Sequence, residues 1–178
     1  MTLQELTLLI YENTISDLTV HKNNGVNFCT HDSYDKGNLL ISYAGYGYQE
    51  HYTQTEMTNF LLECGFNIDD KLNARANGRS ALHCAVANGH FEIVKVLIEN
   101  GALVEIKDKN GNTPLWNAVM MCRGNEQQKE IIKYLVSKGS SVDTKNNHDL
   151  SPRDIINRIG EGIDNNQNKK EWDLRFLL

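Results

Sequence analysis

The sequence predicts an all-α fold, a solenoid of about four to five stacked helix pairs with degenerate end repeats. Two observations carry that expectation. Asn77-Gly78-Arg79-Ser80-Ala81-Leu82-His83-Cys84-Ala85 returns as Asn110-Gly111-Asn112-Thr113-Pro114-Leu115-Trp116-Asn117-Ala118, which sets Gly78 and Gly111 33 residues apart. Each copy then runs into an apolar helical stripe that stops at a glycine. The stripes are Ile93, Val94, Leu97 and Ile98 before Gly101, and Ile131, Ile132, Leu135 and Val136 before Gly139.

The units follow in chain order within a single domain, residues 1–178. Residues 1–33 form an eroded first unit, with helices from Leu3 to Ile10 and Ile15 to Val20, closed by Gly25-Val26-Asn27. Residues 34–74 form a second, opening at Asp35-Lys36-Gly37-Asn38-Leu39 and ending at Phe60 to Asp69, with about eight extra residues before Phe60. Residues 75–107 are the best-matching copy. Gly89 and Gly101 end its helices, because a left-handed residue is needed there, and Phe91 to Asn100 is its second helix.

Residues 108–145 are the next copy. Thr113 is its N-cap, and Pro114 takes the first helical position, where a missing N–H costs nothing. Leu115 and Ala118 share its buried face. The spacing from Ile93 to Ile131 grows to 38 residues, which places a lengthened inter-helix loop at Met121 to Gln128. Residues 146–178 form a C-terminal cap that keeps Ser151-Pro152 but carries Arg153 at the apolar position. Glu161 to Lys170 reads as a linker, and Trp172, Phe176 and Leu177 as a short docked helix. One helix pair cannot bury its apolar face alone, so the units must stack.

The period, the Thr113-Pro114-Leu115 start and the Ser80-Ala81-Leu82-His83-Cys84-Ala85 start resemble the ankyrin repeat. That resemblance implies protein binding on a concave surface built from hairpin tips and first helices. Carried over residue by residue, the tips are Ala76, Asn77 and Arg79, then Lys109, Asn110 and Asn112, then Asn147 and His148. The exposed first-helix positions are Ala87 and Asn88, then Met120 and Met121. Trp116 replaces the family's histidine, and Tyr46 and Tyr48 fall at comparable places in the second unit. Tyr, Trp, Met and Arg are the types enriched in interface cores. The competing reading is repacking of degenerate repeats.

Composition excludes several classes. Apolar residues make up 40% of the chain and charged residues 23%, and mean hydropathy is -0.48. No apolar run is long enough to span a membrane, and Glu5 and Glu12 interrupt any export signal. The expectation is therefore a cytoplasmic, monomeric protein without membrane contact. Cys29, Cys64, Cys84 and Cys122 lie too far apart in sequence for a zinc motif and read as reduced thiols, so no metal or cofactor is implied. There is no phosphate-binding loop, nucleophile elbow or HExxH, and His83 and His90 read as structural, so no catalytic residues are assigned and no enzyme is expected.

Charge is uneven. Residues 1–70 hold ten acids against Lys22 and Lys36, a net of -8, and the rest of the chain carries +3. That excess repels nucleic acid and suits a basic protein partner, with Glu63, Asp69 and Asp70 as an electrostatic rim. The functional expectation is a non-catalytic, protein-binding inhibitor or immunity-type protein. A general scaffold or adaptor is the alternative. From another class, an enzyme or nucleic-acid factor would have its site in the divergent first 70 residues.

Overall fold

In the computed structural model, a cap residue precedes almost every helix and its side chain accepts a backbone N–H of the first turn. Asn38, Ser80 and Thr113 do so for the first helices of the second, third and fourth units. Thr2, Thr14 and Thr53 complete reciprocal capping boxes with Glu5, Asp17 and Glu56. The structure describes residues 1–164 apart from 32, 33, 35, 49, 50 and 123, and also Leu174.

Among these, the helices are α1 (Leu3–Glu12), α2 (Ile15–Asn23), α3 (Leu39–Tyr46), α4 (Gln54–Glu63), α5 (Ala81–Asn88), α6 (Phe91–Glu99), α7 (Pro114–Met121), α8 (Glu126–Ser137) and α9 (Pro152–Asp164). The only extended pairing among the described residues is two isolated bridges, His31 with Asn38 and Lys71 with Ser80. The helices stack in two rows. α1, α3, α5, α7 and α9 follow one another along the inner row, and α2, α4, α6 and α8 along the outer.

One core runs through both rows. Leu6, Leu39, Leu40, Leu82, Leu115 and Ile156 come from the inner helices, and Leu18, Met57, Leu61, Ile93, Leu97 and Ile132 from the outer. Fully burying such a side chain stabilises by about 1.5–3 kcal/mol. Gly89 and Gly101 adopt φ of 79° and 92°, the left-handed conformation that ends α5 and follows α6.

Between units, hairpins and loops make the joints. Lys109 N donates to Asn77 O and Asn147 N to Asn110 O, which links three successive tips through the backbone. Asn73, Asp108 and Asn146 each turn their own hairpin by accepting two backbone N–H groups on one side-chain oxygen.

Three sequence expectations need correction. The five extra residues of the fourth unit are not all loop. Met121 still belongs to α7 and Glu126 to Gln128 form the first turn of α8, which has 12 residues where α6 has 9. Asn125 caps α8 by accepting from the amides of Gln127 and Gln128, so the helix starts earlier than the apolar stripe. The proposed linker begins too early, because α9 continues through Asp164. Apolar residues recur at helical spacing to 163, and the two glycines at 160 and 162 do not stop it. The remainder of that linker and the helix proposed around Trp172, Phe176 and Leu177 lie outside the described residues, although Leu174 is buried. The paired acids Asp69 and Asp70, which come just after a helix closes and so read in the sequence as a solvated hairpin, are instead held in hydrogen bonds, as the next section details.

The surplus of the second unit lies between α3 and α4, at residues 47–53, and its opening Asp35 lies outside the described residues. Arg153 is half-buried at the start of α9, where its guanidinium pairs with Asp143 through two hydrogen bonds. A charge at that position is tolerated because the pair stays at the surface.

Candidate functional site

The inner row leaves large apolar side chains in solvent. Tyr46 at the end of α3 is 70% exposed, and Met120 and Met121 at the end of α7 are 41% and 44% exposed. Asn88 occupies the matching place on α5, exposed, with its amide tied to Cys84 O. These residues stand at the ends of the inner helices of three successive units, with the polar Asn88 between Tyr46 and the two methionines.

A groove of about 450 Å³ opens on this face where the first three units meet. Leu3, Ile41, Tyr46, Leu72, Cys84 and Asn88 line it, so its floor is apolar and its margin polar. Burial pushes the Cys84 thiol up to about 11, which keeps it neutral at physiological pH. A larger hollow on the outer row is lined mainly by polar side chains, among them Thr53, Thr55, Glu92 and Gln127. The inner groove is the better site for partner side chains, because polar-rimmed apolar concavities accept them.

The other candidates divide by burial. Asn77, Lys109, Asn147 and His148 are exposed at the tips, and Ala76, Ala87 and Asn110 are half-buried. Asn112 is turned inward at 7% exposure, where it donates to Asp108 and accepts from Asn146. It braces the hairpin and offers no surface. Tyr48 is half-buried, edge-on to Tyr11 at 4.3 Å and to Tyr52 at 6.3 Å, so its ring packs the N-terminal units together. Trp116 is half-buried against the core, and its Nε1 has no acceptor among the described residues. Arg79 is half-buried as well, with Nε also unpartnered among them.

The rim residues are engaged. Asp69 accepts from Leu103 N, and Asp70 accepts from Asn38 Nδ2 and contacts His31 Nε2 at 3.2 Å. Glu63 remains exposed, with only its backbone oxygen used, by Lys22. His83 and His90 work locally. His83 accepts from Ser80 on Nδ1 and donates from Nε2 to Asn112 O at 3.0 Å. His90 donates to Gly45 O and accepts from Gln54. Among the described residues no three His, Cys, Asp or Glu side chains gather as metal ligands.

Sequence reasoning missed Leu3, Ile41 and Leu72 as groove residues, because they are apolar and look like core. It also missed Asp108. The available signal was an Asn or Asp five residues before the cap of the next helix, seen at Asp108 and Asn146.

Comparison with known proteins identifies the repeat. The family described as ankyrin repeats, in three copies, matches residues 41–146. The chain belongs to the ankyrin-repeat family. An ankyrin repeat-containing protein of Schizosaccharomyces pombe is 34% identical over 89 residues, covering 49% of this chain and 39% of that one. Protein phosphatase 1 regulatory subunit 27 of Mus musculus is 36% identical over 80 residues, covering 45% and 49%. An ankyrin repeat protein of Rickettsia bellii is 32% identical over 97 residues, covering 54% and 39%. The matched region thus spans less than half the length of each of these relatives. Ankyrin repeats bind proteins, and that much of the function follows from family membership. No helix among the described residues is long and apolar enough to cross a membrane.

Proposed function

We propose that this ankyrin-repeat chain is a non-catalytic, monomeric, cytoplasmic protein whose output is the binding itself, in the manner of an inhibitor or immunity protein. The observation that carries the reading is the exposed Tyr46 on a groove lined by Leu3, Ile41 and Leu72, with Met120 and Met121 exposed on the same row of helices. Scattered exposed apolar residues are ordinary, but large ones on one helix row next to a concavity mark an interaction surface. A relative that bears the name of a phosphatase regulatory subunit fits a protein that acts on its partner by occupancy.

The acidic excess of residues 1–70 supports a partner with a basic surface toward the N-terminal units. Glu5, Asp17 and Glu56 also cap helices, and Asp69 and Asp70 hold loops. Those hydrogen bonds leave the carboxylates charged, so they contribute to steering together with Glu63.

The test is capture of the partner from the source cell by the tagged chain, identification by mass spectrometry, and repetition with Tyr46→Ala/Met120→Ala. Loss of the partner with an unchanged helical spectrum supports the reading. Undiminished capture moves the site off the inner-helix face. Inhibition of the captured partner's activity separates an inhibitor from a scaffold.

A further inference from the structure

The hairpin edge carries the opposite charge to the chain as a whole. Lys71, Arg75 and Arg79 lie in the hairpin that opens the third unit, which contains no acid from 71 to 80. Lys107 and Lys109 lie in the next hairpin, whose matching stretch, residues 104–113, holds two acids, Glu105 and Asp108. Asp108 is 7% exposed and its carboxylate is filled by its own turn and by Asn112. Yet the chain carries a net of -5.

Among the described residues, the carboxylates of Asp70, Glu105 and Asp149 hydrogen-bond to groups other than these cations. Asp70 serves Asn38 and His31, Glu105 accepts from Ser141 N and the Thr144 hydroxyl, and Asp149 pairs with Lys145. Among the described residues no carboxylate pairs with Lys71, Arg75, Arg79, Lys107 or Lys109. The ammonium groups of Lys71 and Lys107 instead lie along the edge, each donating to a backbone carbonyl of the following unit, at Lys107 and Lys145. Each keeps further N–H donors for another acceptor. Exposed cations without an ion-pair partner ask for an anionic ligand.

The geometry points to the hairpin edge of residues 71–79 and 107–112 as the seat of an acidic, carboxylate-bearing peptide segment of the partner protein. This rests on the reading that the chain binds a protein, and it adds what that protein presents to the tips. A basic surface over the N-terminal units and an acidic segment over the hairpins are complementary to the two charged parts of this stack. Carboxylates suit the edge better than a nucleic-acid backbone, because the -8 of residues 1–70 repels a long polyanion and spares a short acidic segment.

The test uses the full chain, labelled with nitrogen-15, and three probes: an octaglutamate peptide, an octalysine peptide and an eight-residue oligothymidine. Octaglutamate should shift the amides of 71–79 and 107–112, with an affinity that falls as salt rises. Arg75→Glu/Lys109→Glu changes two exposed side chains that make no hydrogen bond of their own among the described residues. It should weaken octaglutamate by about tenfold or more while the remaining resonances stay in place. Unmoved hairpin amides, a shift that survives charge reversal, or tighter binding of oligothymidine than of octaglutamate would each overturn the proposal. Octalysine binding at these hairpins would overturn it as well. If the natural partner is lost with Tyr46→Ala but retained with Arg75→Glu/Lys109→Glu, the proposed function stands and the acidic segment falls.

Discussion

The imidazole of His90 lies over Gly47, so closely that a Cβ built on Gly47 would overlap the ring. The ring is fixed there by Gly45 O on one nitrogen and Gln54 on the other. Gly47 also sits at φ 62°, in the left-handed region. Gly47→Ala should therefore destabilise by on the order of 2–4 kcal/mol, from backbone strain and overpacking together. Adding His90→Ala should recover the steric share and leave the strain. Urea denaturation of the two single variants and the double variant measures both, and no recovery in the double would refute the clash.

Leu97 and Leu115 are fully buried in the core shared by the third and fourth units. Leu97→Ala or Leu115→Ala should each cost about 2–5 kcal/mol. Chemical denaturation giving less than about 1 kcal/mol for both would mean that neither side chain holds the units together.

Trp116 and Tyr46 should part company on truncation. Trp116 packs on the core, and Trp116→Ala should lower stability by about 1–3 kcal/mol whatever it does to binding. Tyr46 stands in solvent, and Tyr46→Ala should stay within about 0.5 kcal/mol of the parent. Melting curves decide this before any partner is in hand. A large loss at Tyr46 would make it a packing residue.

His83 makes stability depend on pH with a definite sign. Burial holds its imidazole below the ordinary histidine range, partly offset by the hydrogen bond to Asn112 O. Ser80 N–H donates to Nδ1, so the folded state wants that nitrogen unprotonated. The unfolded chain binds the proton more readily, so the stabilisation is complete above the unfolded value near 6.5 and is lost as pH falls through the folded one. His83→Gln should flatten the decline in denaturation midpoint between about pH 7 and pH 5. An unchanged slope would assign that decline to other groups.

The central helix pairs were legible in the sequence because local signals agree there. Ser80 and Thr113 cap, Pro114 follows, Gly89 and Gly101 stop, and the apolar stripes sit at helical spacing. The start of α8 was not legible, because Glu126, Gln127 and Gln128 are polar and the stripe begins only at Ile131. Surface candidates were read from repeat position, which does not say which way a side chain turns. Asn112 occupies a tip position, but its amide finds Asp108 and Asn146 and is buried. Charge counted along the chain missed the cationic edge as well. The total cannot say where on the fold a charge lies, and Lys71, Arg75 and Arg79 gather in one hairpin.

Many of the bonds that cross from one unit to another join a side chain to a backbone group. Lys22 reaches Glu63 O, Lys71 reaches Lys107 O, Asp69 receives Leu103 N, His90 reaches Gly45 O and Gln128 reaches Val86 O. A carbonyl or amide is supplied by almost any amino acid, so the receiving unit is free to change its own side chains at those places without breaking the bond. At those bonds, sequence drift in the receiving unit makes no demand on its neighbour. Joints of this kind let the outer units wander far from the repeat pattern while the stack keeps its register.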